Sequence, residues 1–142
     1  MVKRRKIVFI GVVCLIISFI GIYIYNRVEK KPYSNISESD IAEVYILFGI
    51  YEPYPLTDEE ITQFVDMLKS VIIYQKDNSY VGYDGVQSQK FCIEKTNGKI
   101  IYISAANPFF IINGTGYRTE YAPCDKLSRF YHDMVIKHIK GE

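Results

Sequence analysis

The chain has 142 residues, 49% of them hydrophobic and 15% aromatic, with 17 Lys and Arg against 16 Asp and Glu and a formal net charge of +1 at pH 7. Setting aside the four bases Lys3, Arg4, Arg5 and Lys6 leaves 13 Lys and Arg against all 16 acids, about −3, which argues against nucleic acid or any other polyanion as a partner. No Walker or G-x-G-x-x-G loop and no G-x-S-x-G or S-x-x-K motif occurs, so nucleotide binding and serine acyl transfer have no sequence support.

In chain order, a basic tail at residues 1–6 leads into the uncharged run Ile7–Tyr25. Nineteen residues at about 1.5 Å each make a helix of roughly 28 Å, close to the ~30 Å hydrocarbon core of a bilayer. A transmembrane helix is therefore expected at residues 7–26. A cleaved signal peptide has an apolar region of about 7–15 residues and a small-x-small site. The sequence Ile22-Tyr23-Ile24-Tyr25-Asn26-Arg27 is bulky instead, so the expected element is a single-pass signal anchor. The four leading bases favour a cytoplasmic N-terminus and an extracytoplasmic remainder. Cys14 lies too deep in the run to be a lipoprotein cysteine. Gly11, Cys14, Ser18 and Gly21 fall on one helical face, a seam that would let a partner helix or a second copy approach closely. The plainer explanation is that small residues are common in membrane helices.

Residues 27–39 hold charges, Pro32 and little periodicity, and read as a stalk before one extracytoplasmic domain at residues 40–142. Residues 41–51 are β-branched and aromatic, as in a covered strand. Glu52-Pro53-Tyr54-Pro55 argues against regular structure. Thr57 and Glu60 make a capping box, and Ile61, Phe64, Val65, Leu68 and Ile72 follow at helical spacing. Asp58, Glu59 and Glu60 complement the dipole of its first turn. Residues 71–75 can form a second strand, 77–79 a turn, and 80–86 have no clear preference. Strands at 89–95 and 99–105 flank Asn97-Gly98, a sequence suited to a type I′ hairpin. Asn107-Pro108 breaks the run before a short strand at 109–112. Asn113-Gly114-Thr115-Gly116 turns into a strand at 117–121. Pro123 suits a first helical position, and Leu127, Phe130, Tyr131, Met134, Val135 and Ile139 form one stripe of a closing helix.

The expected fold class is α+β: the transmembrane helix, then an antiparallel sheet of about five or six strands with two helices (β-α-β-meander-α). Both helices should lie on one sheet face, leaving the other open. Tyr45, Tyr51, Tyr74, Tyr83, Tyr102, Tyr117 and Tyr121 recur along the strands. Of these, Tyr45, Tyr102, Tyr117 and Tyr121 are candidates for a partner face, against ordinary cross-strand packing.

Candidate chemistry is sparse, and no catalytic, cofactor-binding or metal-binding residue is singled out. Residues 32–68 contain eight acids and no base, which reads as a solvated acidic face because no calcium loop is present. His132 and His138 are rotated about 240° from one another on one helix and cannot share a metal. Cys92 and Cys124 could be bridged or could be two free thiols. Asn35-Ile36-Ser37 and Asn113-Gly114-Thr115 match the glycosylation acceptor pattern. A hydrolase reading would need a site the sequence does not display, for example around Asp66 or Asp133.

The chain resembles the small, single-span, extracytoplasmic proteins of unknown function in Gram-positive bacteria. The resemblance is carried by the Lys3 to Lys6 cluster with its span, Thr57-Asp58-Glu59-Glu60-Ile61, Asn97-Gly98, Phe110-Ile111-Ile112-Asn113-Gly114, Tyr117 and the C-terminal helix. It implies a location and a fold but no catalytic residue. The expected function is a membrane-tethered, non-catalytic interaction domain whose partners are the lipid bilayer and a protein or cell-envelope component. An accessory subunit, or a homodimer, packing through the membrane helix is the alternative, with a cell-envelope hydrolase behind it.

Overall fold

The structure is a computed structural model describing residues 2–26, 28–83 and 89–141. The side chains of Lys3, Arg4, Arg5 and Lys6, on which the expected orientation rests, lie outside the described set, as do residues 84–88, including Asp84-Gly85.

Helix α1 runs over Val2–Asn26, and within it Ile7–Tyr25 is long and apolar enough to cross a membrane. None of that segment is buried against the rest of the chain. A Cβ placed at Gly11 or Gly21 meets nothing within 4 Å, and the Ser18 hydroxyl turns back to donate to the Cys14 carbonyl at 2.9 Å. The small-residue face is thus present and uncovered within one chain.

Beyond α1 the described residues form seven strands, two α-helices and a 3-10 turn at Glu38–Asp40: β1 Ile41–Phe48, β2 Tyr54–Pro55, α2 Asp58–Lys69, β3 Ile73–Lys76, β4 Gln89–Lys95, β5 Ile100–Ala106, β6 Phe109–Ile112, β7 Thr115–Thr119 and α3 Tyr121–Lys140. They make one antiparallel sheet in the order β2-β1-β4-β5-β6-β7-β3. The α+β class and the two helices agree with expectation, while the strand number exceeds it. The additional strand is β2: Tyr54 and Pro55 pair with Ile46 and Tyr45 at the sheet edge, where a proline without an N–H is tolerated.

Alternation along the strands builds the main core. Val44 and Ile46, Phe91 and Ile93, Ile101 and Ile103, and Phe110 point to one face, where Phe64, Val65 and Leu68 of α2 and Leu127, Phe130 and Tyr131 of α3 cover them. The Phe91 ring centroid lies 4.7 Å from Phe64, 5.6 Å from Tyr131 and 6.3 Å from Phe130. Each such side chain contributes on the order of 1.5–3 kcal/mol by leaving water. Helix α2 begins as the capping box requires: Glu60 N–H donates to the Thr57 hydroxyl at 3.3 Å, and Thr57 N–H donates to the Glu60 carboxylate at 2.9 Å. The same carboxylate accepts from Lys137 at 2.6 Å, tying the start of α2 to the end of α3. Burial opposes ionisation of Glu60, but the Lys137 and Thr57 donors outweigh it and keep the carboxyl below its ordinary value. Helix α2 stops at Lys69, so Ile72 leaves the helical stripe. Its carbonyl instead accepts from Glu120 N–H and the Thr119 hydroxyl.

The expected stalk is largely docked onto the domain. Lys30 and Ile73 exchange two backbone hydrogen bonds of 2.8 Å, extending the β3 edge, and Ile36 is only 8% exposed within the core. Tyr33 packs edge-on against Phe110 at 6.4 Å. Charged neighbours masked two residues that the core needs. Only residues 27–29 separate the end of α1 from this docked strap.

The turns also differ from expectation. Gly98 has φ +81°, but Asn97 does not share a positive φ, and Gly98 N–H donates to the Lys95 carbonyl at 2.8 Å. That is a type I turn on Thr96 and Asn97 closed by a left-handed glycine. The type I′ geometry falls at Asn113-Gly114 instead, with φ +48° and +81° between the paired Ile112 and Thr115. Helix α3 starts at Tyr121, placing Pro123 in its first turn rather than at its first position.

Candidate functional site: the sheet face opposite the helices

Residues of the second alternation line the face without helices. Tyr45 stands opposite Cys92, and Cys92 opposite Tyr102, so one row crosses β1, β4 and β5. In the next row Lys90 faces Leu47 and Ser104 faces Ile111, which in turn faces Gly116. Tyr102 and Lys90 are exposed, Tyr45 is half-buried, and its hydroxyl donates to Glu43.

Part of this face is covered by the loop after β3. Asp77 N–H donates to the Gly116 carbonyl at 2.9 Å, Gly116 N–H donates to the Asn78 side chain at 2.8 Å, and the Tyr80 hydroxyl donates to the Gly114 carbonyl at 2.5 Å. Arg118 donates to Asp77 at 2.7 Å while its guanidinium lies 4.6 Å from the Phe109 ring centre. Donors from Ser79, then Arg118, hold the Asp77 carboxyl at about 2. Tyr80, Phe109 and Ile111 thereby form a second, smaller apolar cluster over β6 and β7.

Beside Tyr80 the face holds a groove of about 460 Å³, lined by Tyr80, Lys90, Tyr102, Ser104, Ile111 and Asn113. Among the described residues no carboxylate lines it and Lys90 makes no ion pair. Asn113 fixes the rim, its side chain accepting from Tyr102 N–H at 2.9 Å. The arrangement offers a cation, hydroxyls and ring faces for recognition.

The structure brings together only two of the four tyrosines expected on one face. Tyr45 and Tyr102 share the bare face. Tyr117 pairs with Phe110, whose side chain is in the helix-side core, and it packs there beside Tyr33. Burial first, and Tyr117 second, push the Tyr33 hydroxyl up to about 12. Tyr121 opens α3 and is 65% exposed, away from the row. Tyr51 stacks on Phe48 at 4.8 Å, Tyr83 meets Phe109 edge-on at 5.3 Å, and Tyr74 donates to Glu120 at 2.7 Å.

Cys92 and Cys124 are free thiols in the structure. They sit on opposite sides of the sheet, Cys92 in the Tyr45–Tyr102 row and Cys124 in the helix-side core with its thiol 3.5 Å from the Phe109 carbonyl. A bridge would have to pass through the sheet. Burial and then Asp125 push the Cys124 thiol up to about 12, and burial followed by Glu94 raises that of Cys92. His138 packs against Tyr54 at 4.9 Å and Phe48 at 5.7 Å, whereas His132 lies beside Tyr131. Among the described residues no group of three or more His, Cys, Asp or Glu is placed to hold a metal. Asp66, 4.0 Å from Lys69, and the exposed Asp133 lie on different helices outside the groove.

Lys90, Ser104 and Tyr80 were not among the residues singled out from sequence. Lys90 and Ser104 were legible as the alternates of Phe91 and Ile103, and Gly116 inside a strand marked a close backbone approach.

Fold and site together define a two-layer α+β domain with one sheet face partly bare, following a helix apolar enough to span a membrane. Compared with protein-family models, curated proteins and solved structures, the chain matches none.

Proposed function

We propose that the chain is a membrane-tethered, non-catalytic interaction domain that recognises a protein or cell-envelope component through the bare sheet face around Tyr45, Tyr102 and Lys90. The observation that carries this reading is the asymmetry of the sheet. One face is roofed by α2, α3 and the docked strap, whereas the other presents two tyrosines, a lysine with no ion pair among the described residues and a groove of about 460 Å³. Aromatic rings with polar tips, desolvated at the centre of a patch, are the usual anchors of such surfaces. An N-terminal span with the domain outside the cytoplasm fits the absence of nucleotide and nucleic-acid signals. Replacing Tyr45 and Tyr102 together by alanine should lower recovery of a crosslinked partner from intact membranes about tenfold or more, with the domain still folded. Undiminished recovery from the double variant would place the binding surface elsewhere.

A second reading is favoured by the uncovered small-residue face of α1, where Gly11 and Gly21 have open space at their Cβ positions. In it the helix packs on a membrane partner or a second copy. Gly11→Leu with Gly21→Leu separates the two readings, since it abolishes a membrane-helix complex and spares one formed through the sheet face.

A further inference from the structure

A second concavity, of about 370 Å³, lies where the docked strap crosses the lower end of the sheet, and Lys31, Lys95 and Lys99 all line it with Ser34 and Asn35. We infer that this concavity seats the phosphate headgroups of anionic lipid in the leaflet where α1 ends, so that the domain lies down on the bilayer instead of standing off it. The inference rests on α1 being a membrane span, as proposed above.

Three observations converge. First, the domain beyond the span is acidic, about −3, yet this one surface gathers three ammonium groups, none of which makes an ion pair among the described residues. Among the described residues the one acid in the lining is Asp40, whose carboxylate accepts from Ser37 N–H and the Ser37 hydroxyl, each at 2.9 Å; Lys95 acts on it through space but forms no ion pair with it. Second, reach is limited by covalent geometry. Helix α1 ends at Asn26 and Lys30 is already hydrogen-bonded to Ile73, so Lys31 lies within roughly 18 Å of the helix end at ~3.6 Å per residue. The headgroup layer takes up about 5–8 Å of that distance, and lysine attraction to an anionic surface acts over a further Debye length of about 8–10 Å. Third, the site is fixed by the fold. The strap is held by Ile36 in the core and by the Lys30–Ile73 pair, and Thr96 N–H, in the turn between Lys95 and Lys99, donates to the Asp40 carbonyl at 3.0 Å. The three lysines therefore reach the surface as one preassembled group, without first ordering a flexible stalk.

The test uses the full chain in nanodiscs of phosphatidylcholine alone or mixed equally with phosphatidylglycerol, with acetylation rates of individual lysines read by mass spectrometry. Lys31, Lys95 and Lys99 should react about fivefold more slowly in the anionic discs, and high salt should remove the protection. Lys90, on the bare face, should react at the same rate in both. In the variant Lys95→Gln with Lys99→Gln, protection of Lys31 should fall, because the remaining cation holds the surface poorly. Equal rates in the two discs would overturn the inference while leaving the anchor intact. Protection in neutral discs on adding millimolar inorganic phosphate would overturn it in favour of a soluble phosphate ligand. Failure of the full chain to enter either disc would instead sink the membrane-tether reading on which the inference rests.

Discussion

Replacing Phe91 by alanine should cost the domain about 4 kcal/mol, the largest loss expected of any single side chain in it. Phe91 is 1% exposed, and its ring meets both helices, through Phe64 on α2 and through Phe130 and Tyr131 on α3. Truncation removes the transfer energy of the ring and leaves a cavity that three neighbouring rings cannot all collapse into. A domain of this size holds roughly 5–15 kcal/mol in total, so the midpoint of thermal unfolding should fall by more than about 15 °C. Tyr102→Ala, on the opposite face of the neighbouring strand and 44% exposed, should cost less than about 1 kcal/mol. Urea unfolding of both variants followed by circular dichroism checks the pair. Similar losses for the two would mean that the roofed and bare faces have been assigned wrongly.

Gly116→Ala should cost roughly 2–3 kcal/mol for a different reason, overpacking. A Cβ there would stand 2.5 and 2.9 Å from two atoms of the Tyr80 ring and closer still to the Asp77 carbonyl oxygen. The backbone at Asp77 cannot move away without breaking its hydrogen bond to Gly116, so the loop must lift from β7 and open the groove wall. Titration provides a specific signature. Asp77 is held at about 2 in the folded state against an ordinary 3.8, so its contribution to stability is complete above the ordinary value and is lost as pH falls towards about 2. If the loop lifts, Arg118 and Ser79 are no longer held against that carboxylate. The urea midpoint of Gly116→Ala should therefore fall less steeply between those pH values than that of the unaltered chain. A variant with wild-type stability and an unchanged acid limb would show that the loop does not pack as described.

What could be read from the residues was local. The Thr57 and Glu60 capping box, the alternation in residues 89–95 and the 3.6-residue stripe from Leu127 to Tyr131 each carry their own physics, and each element formed where that physics placed it. The misjudged features depend on partners distant in sequence. Tyr54-Pro55 becomes a strand only because β1 offers it an edge, and the strap is core rather than stalk only because Ile73 and Phe110 wait for Lys30 and Tyr33. Tyr117 looked equivalent to Tyr102 by residue type. The tight turn at Asn113-Gly114 fixes the β7 register, however, and that register turns Tyr117 to the helix side. The groove was hardest to foresee, since its wall is Tyr80 reaching back to Gly114, from a segment with no periodicity of its own. Both tyrosines of the row are named from residue type, together with two that lie elsewhere, while Lys90 and Ser104 are legible only as the alternates of Phe91 and Ile103.

The central claim is that the bare face, and not the helix layer, meets the partner. It is tested most directly by a photoreactive amino acid placed singly at Tyr102, Lys90, Lys126 and Asp133 of the full chain in native membranes. Discrete crosslinked species should form from positions 102 and 90 and not from 126 and 133. Crosslinks confined to the two helix positions would contradict the account.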